Sequence, residues 1–253
     1  GRPAEKLTAD NAYYRNPVWS SDSQTILAVR SPRIERLENI SLLPQPSKAD
    51  KIISLASNGG KPVTIALAGG AVRVHFTEDT QRFYAYSPRL GLSSWKLDGS
   101  DQKTHLRVMG SASATSWVAM PSDILLSPNG QYALAAVANQ LYLINMSAVP
   151  AEQPSINVYA PGSAYTKITT LGNDHFSWGD SKTLSWSAGN TLYRKSIDTD
   201  EVSELEALVQ QPRYTPEGVV ALRGARIITM DGDKVIGNGD ILINGNLIQA
   251  VGK

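Results

Sequence analysis

The sequence predicts an all-β protein, and three observations predict it. Charged residues make up only 19% of the 253, while Trp and Tyr number 5 and 10 and short β-branched and aromatic runs recur along the chain. Such residues suit a pleated, half-buried surface. A turn residue recurs at a nearly fixed interval, with Asp22, Asp79, Asn129 and Asp180 standing 57, 50 and 51 positions apart; a period of that size sets the architecture before any single strand does. Finally, Asp231-Gly232, Asn238-Gly239 and Asn244-Gly245 punctuate the last apolar runs, and these dipeptides tolerate the positive φ of tight hairpin turns.

The repeat is built from hairpins. Each copy has an apolar or aromatic strand, a Ser/Thr-Asp/Asn/Gly turn and a second apolar strand: Val18–Trp19 into Ile26–Val29, His75–Phe76 into Phe83–Tyr86, Leu125–Leu126 into Tyr132–Val137, and Phe176–Trp178 into Thr183–Trp186. A second hairpin follows each. Ile52–Leu55 turns at Asn58-Gly59-Gly60 into Pro62–Leu67, and Ser94–Leu97 turns at Asp98-Gly99 into Thr104–Val108. Leu141–Ile144 runs by a longer link into Ile156–Tyr159, and Leu192–Ile197 turns near Asp198 toward Val202. Four strands per unit of about 50 residues is the plan of a propeller blade, whose radial packing hides most strand edges. Ser31–Asp50, with Pro32, Pro44 and Pro46 among the charges Arg33, Glu35, Arg36 and Glu38, departs from the period and reads as a protruding surface loop. Glu201–Gln210 has near-helical apolar spacing where a strand is expected, and fits either.

Residues 1–211 therefore form the repeat region. Two prolines and a glycine within 212–218 mark a boundary, since proline removes a backbone donor and pushes its predecessor to extended geometry. Residues 219–253 follow as a small antiparallel meander of Val219–Leu222 with Ala225–Met230, Gly239–Ile243 and Leu247–Val251. A three-stranded sheet buries one face at most and needs something to lie on.

Composition excludes several classes. The formal net charge is +1 and basic residues are scattered, so the footprint of a nucleic-acid binder is lacking. There is no cysteine, hence no disulfide, Cys-ligated zinc or thiol catalysis. No apolar run approaches the roughly 18 residues of a membrane helix. Gly1-Arg2-Pro3 is neither an initiator Met nor a signal peptide, so upstream sequence is expected to have been removed.

No residue presents itself as catalytic, cofactor-binding or metal-binding. His75, His105 and His175 are the only histidines, and none has the i,i+2 or i,i+4 partner of a metal motif, so they read as strand residues with local hydrogen bonds. Ser185-Trp186-Ser187-Ala188-Gly189 lacks the first Gly of a nucleophile elbow and precedes a strand instead of a helix. Gly59-Gly60, Gly69-Gly70 and the Gly237–Gly245 cluster lack the order and following helix of a phosphate loop. Asp22, Asp79, Asn129 and Asp180 could suggest a calcium ring, but side chains of this kind at a repeated turn bond nearby backbone donors. Tyr13, Tyr14, Trp19, Trp95, Trp117, Trp178 and Trp186 read as blade packing.

Two resemblances extend this reading. Pro17-x-Trp19-Ser20-x-Asp22-Ser23-x-x-Ile26 and Leu126-Ser127-Pro128-Asn129-Gly130 resemble the TolB-like (PD40) propeller repeat, over roughly residues 14–200. Rings of that family usually have six or more blades, so four imply part of a longer propeller or a sheet completed by flanking strands. Gly224–Thr229, Asn238–Ile243 and Ile248–Gly252 resemble the opening β-segment of the amidohydrolase superfamily, with Leu247 where that family commonly carries a basic residue. This second resemblance implies a β-sandwich beside a metal-dependent (β/α)₈ barrel that hydrolyses C–N bonds in amide or peptide-like substrates, with a divalent metal, zinc above all, activating water. The barrel's His-x-His strand is expected beyond Lys253, so the chain reads as a partial TolB-like β-propeller plus meander, inert by itself, its partner the rest of the parent chain. A periplasmic or secreted location is implied. Two alternatives stay open: a TolB-like periplasmic protein-binding propeller, and the propeller of a prolyl-oligopeptidase-type serine peptidase.

Overall fold

In a computed structural model, residues 3–33, 50–70, 72–112 and 117–253 are described. The chain divides into two compact units, Gly1–Ala207 and Leu208–Lys253.

The first unit holds four successive sheets, each led by an Asx turn. In blade one, β1 (Ala12–Trp19), β2 (Thr25–Pro32), β3 (Lys51–Ala56) and β4 (Val63–Leu67) pair in chain order. Blade two is β5 (Val72–Phe76), β6 (Arg82–Ser87), β7 (Gly91–Lys96) and β8 (Lys103–Met109). Blade three begins with β9 (Pro121–Leu126), β10 (Tyr132–Val137) and β11 (Gln140–Asn145). The reversal between the first two strands has one cause throughout: a turn carboxylate or amide oxygen receives the backbone N–H two residues on. Gln24 donates to Asp22 (3.0 Å), Gln81 to Asp79 (2.9 Å), Gln131 to Asn129 (3.1 Å) and Lys182 to Asp180 (2.7 Å). These oxygens are consumed by the turns, which is why they recur.

Blade three is completed unexpectedly. Ile156–Tyr159 does not pair with β11; its strand, β12 (Ser155–Asn157), adds in parallel to the outer edge of β8 in blade two, and β13 (Tyr165–Lys167) takes the place beside β11. Burial explains the exchange. Val158 and Ile156 pack into the cluster between blades two and three, and the Asn157 side chain is clamped to the backbone of Ser111 by bonds of 2.8 and 3.0 Å. Blade four is β14 (His175–Trp178), β15 (Thr183–Ala188), β16 (Thr191–Ser196) and β17 (Val202–Glu206), so the ambiguous stretch is a strand over Val202–Glu206 and irregular over 207–210. Of the expected loop, Ser31 and Pro32 end β2 and Asp50 precedes β3; residues 34–49 lie outside the described residues.

The core lies between sheets, as radial stacking requires. Leu27, Val29 and Ile52 of blade one meet Phe83, Ala85 and Trp95 of blade two. Tyr86, Leu92 and Leu106 meet Ile124, Ala133, Ala135 and Tyr142, and Leu125, Leu134 and Leu141 meet Phe176, Leu184 and Trp186. Aromatic stacking within blades, Phe83 on Trp95 at 5.5 Å and Trp186 on Tyr193 at 5.2 Å, fits the expected packing role. That role fails for Trp19 and Trp117, 53% and 82% exposed, and for Tyr13. These stacked sheets are blades of a β-propeller.

Blades one and two also touch at a backbone crossing. Gly99, in the β7–β8 turn at φ +83°, approaches Ile65 so closely that a Cβ would stand 1.8 Å from its carbonyl oxygen. Gly99→Ala is expected to cost well over about 1 kcal/mol, because strain and overlap add; an unchanged urea midpoint would show that the two backbones can separate freely.

The second unit is a meander of β18 (Val219–Ile228), β19 (Val235–Asn244) and β20 (Leu247–Gly252). Hairpin turns form after Asn244 and around Asp231-Gly232, but Asn238-Gly239 is no turn. It lies inside β19, where the pairing with β18 shifts register, and a Cβ on Gly239 would stand 2.6 Å from the Gly252 carbonyl oxygen. That glycine permits close strand approach. Ile227 is buried, whereas Ile228 and Leu247 are 64% and 69% exposed and Val219, Val220 and Ile248 are exposed with them.

Candidate axial binding site

The first strands of all four blades converge on one cleft of about 690 Å³. Asn16 of β1, Arg73 of β5, Ser122 and Asp123 of β9, and Asp174 with His175 at the start of β14 line it. Three of these strands lose regular register there: β1 between Arg15 and Val18, β5 between Val72 and His75, and β9 opposite Ala136 and Val137. An extra residue in a strand unpairs the ladder locally and re-aims a side chain. The residues at these irregularities, Asn16, Arg73 and Ser122, all face the cleft.

Backbone strain concentrates at the same place. Asn16, Arg73 and Asn139 have φ of 51°, 50° and 61°, and all three line the cleft. Asparagine tolerates this region, but for arginine it costs on the order of 1–2 kcal/mol. The contacts of Arg73 offset that cost. Its guanidinium donates to Asp123 Oδ2 at 3.0 Å and to the Phe176 carbonyl oxygen, and Cζ lies 4.7 Å over the Phe176 ring. One side chain thus ties blade two to blades three and four. Burial pushes the Asp123 carboxyl above its ordinary range, with Arg73 and the Ile124 amide pulling the other way, and its Oδ1 is buried without a well-formed hydrogen bond. Asp174 receives the Gly189 N–H at 2.7 Å, and the Asn139 carbonyl receives the Asn173 backbone and side-chain N–H groups at 3.0 and 3.1 Å.

The three histidines have separate fates. His75 is buried, with Nδ1 2.8 Å from the Arg73 carbonyl oxygen and Nε2 3.2 Å from the Leu126 amide nitrogen. A carbonyl can only accept and an amide can only donate, so the ring is neutral with its proton on Nδ1. Burial, the dominant cause, lowers its pKa to about 4. His105 Nε2 lies 2.7 Å from Ser94 Oγ, which also receives Arg82 Nε at 2.9 Å. That serine is fully buried and offers no nucleophile to solvent. His175 alone borders the cleft. Among the described residues, no three His, Asp or Glu side chains are grouped so as to hold a metal ion. Ser185–Gly189 forms β15 and its hairpin turn, and Gly59-Gly60 and Gly69-Gly70 are turn glycines with positive φ.

Sequence reasoning missed this site, although the repeat carries its signal. Asn16, Arg73, Asp123 and Asp174 each precede a turn residue, Asp22, Asp79, Asn129 and Asp180, by the same six positions. All four blades therefore present a polar side chain at the equivalent point of the first strand, where an apolar residue would serve packing alone.

No protein-family model matches the chain, and no curated protein matches it. Among solved structures it is similar to a gluconolactonase from Xanthomonas campestris, at 13% identity over 72% of this chain and 56% of that one, TM-score 0.46. It is also similar to a protein from Lactobacillus plantarum (12%, 77% and 55%, TM-score 0.42) and to a β-propeller domain from Myceliophteria thermophila (10%, 78% and 55%, TM-score 0.41). The chain spans about half the length of the solved chains it matches.

Proposed function

We propose that the chain is the non-catalytic, TolB-like propeller portion of a metal-dependent amidohydrolase, joined to the opening strands of that enzyme's β-sandwich. The exposed meander carries this reading. Gly224–Thr229, Asn238–Ile243 and Ile248–Gly252 lie on three paired strands, and apolar side chains along them stay in solvent. A three-stranded meander cannot cover so much apolar surface by itself; the remaining strands of a sandwich would cover it. Hydrolysis of the amide or peptide-like substrate, with its divalent metal, then belongs to residues outside these 253. The propeller positions or scaffolds, and the parent acts in the periplasm or outside the cell.

The parent reading frame beyond Lys253 tests this directly. A His-x-His pair is expected within some 20 residues, and the extended protein should hydrolyse an amide substrate, lose that activity to a chelator and regain it with zinc. A serine-hydrolase motif further downstream would favour the peptidase reading instead. The axial cleft is the observation that favours a binding propeller, and a stop codon directly after Lys253 would make that the better account.

A further inference from the structure

We propose that the axial cleft binds a neutral, hydroxyl-rich ligand of the carbohydrate class. The inference stands apart from the amidohydrolase reading, since it uses only the first unit.

Charge narrows the choice first. The cleft has one guanidinium, Arg73, and two carboxylates, Asp123 and Asp174. Arg73 and Asp123 neutralise one another at 3.0 Å, so an anion would compete with Asp123 for the only cation in the lining and meet a second carboxylate beside it. A cation would find the Asp123 carboxylate already paired with Arg73 and only the exposed Asp174 left to offset its desolvation, which makes for a weak site. A neutral ligand meets neither penalty.

The kind of polar group narrows it further. Amide, carboxylate and imidazole groups from the first strands face one volume: the Asn16 amide offers a donor beside an acceptor, the Asp174 carboxylate a pair of acceptors, and the His175 imidazole a single donor or acceptor. Hydroxyl groups on adjacent carbons both donate and accept, and match such paired groups. A peptide needs apolar subsites for its side chains as well as polar contacts for its backbone, and the cleft offers only Ala136 and Phe176, whose ring already carries Arg73. A volume of about 690 Å³ falls in the usual range of small-molecule sites and leaves room for a mono- or disaccharide. Strand irregularities and left-handed backbone hold Asn16 and Arg73 in place before any ligand arrives, which reduces the ordering cost of binding.

Calorimetry on the whole chain tests the proposal, with cellobiose and N-acetylglucosamine as probes and acetyl-trialanine amide, sodium acetate and ethylammonium chloride as competitors of other classes. Saturable millimolar binding of at least one sugar is expected. Asn16→Gly keeps the left-handed backbone but removes the amide, and His175→Ala removes an exposed ring; each should weaken sugar binding by about tenfold with the unfolding midpoint retained. Three results overturn the proposal: no saturable sugar binding up to about 50 mM, equal binding by both variants and the parent chain, or tighter binding of the peptide or either ion than of both sugars.

Discussion

Replacing Arg73 with methionine is expected to destabilise the propeller unit by about 1–3 kcal/mol, more than losing a surface ion pair and less than losing a buried one, because the Arg73 and Asp123 side chains are part-buried. Three contacts go together: the bond to Asp123 Oδ2, the bond to the Phe176 carbonyl and the contact with the Phe176 ring. The larger consequence falls on what remains. Asp123 already titrates above its ordinary range because it is buried, and without the guanidinium its carboxylate would stand uncompensated. Two controls separate this account from simple loss of packing. Adding Asp123→Asn should recover part of the loss, because the stranded charge disappears with it. Acidification should also shrink the gap between Arg73→Met and the parent, since protonating Asp123 achieves the same neutralisation. Urea unfolding reads both effects; a loss below about 1 kcal/mol, or a double variant no better than the single one, would show that the four first strands hold together without this side chain.

How much of this could be read in advance depends on what kind of constraint a residue answers to. The Asx turns were legible because their cause is local: an oxygen at Asp22, Asp79, Asn129 or Asp180 bonds a backbone N–H two positions away. Strands β10 and β15 were legible for the same reason, being short apolar runs bounded by turns. The exchange of β12 into blade two was not, because Ile156 and Val158 are equally apolar whichever sheet they join, and only the space beside β8 decides. Asn238-Gly239 misled because a glycine that allows a turn and a glycine that allows a close strand contact look alike in one dimension. The cleft was hidden by dispersion. No two of Asn16, Arg73, Asp123 and Asp174 are near in sequence, and each is ordinary alone; their shared offset from the turn becomes meaningful once the blades stand around a common axis.

Between pH 7 and pH 4 the propeller unit is expected to lose about 3 kcal/mol of stability through His75 alone, on the rule that each unit of pKa difference is worth about 1.4 kcal/mol. The sign follows from the lowered folded value. His75 has a pKa of about 4 in the folded chain against 6.5 for the free side chain, so below pH 6.5 the unfolded chain takes up a proton that the folded chain refuses. Stability is therefore complete above pH 6.5, falls as pH drops through the window, and levels off once the folded ring also protonates near pH 4. The structural event at that point is specific: protonated Nε2 can no longer accept the Leu126 N–H, and a link between blade two and blade three becomes a clash of two donors. His75→Gln, which cannot charge, should be less stable than the parent at pH 7 for want of the ring, yet vary much less between pH 7 and 4. The slope of unfolding free energy against pH for the two proteins decides the matter, because parallel slopes would assign the acid sensitivity to carboxylates elsewhere in the unit.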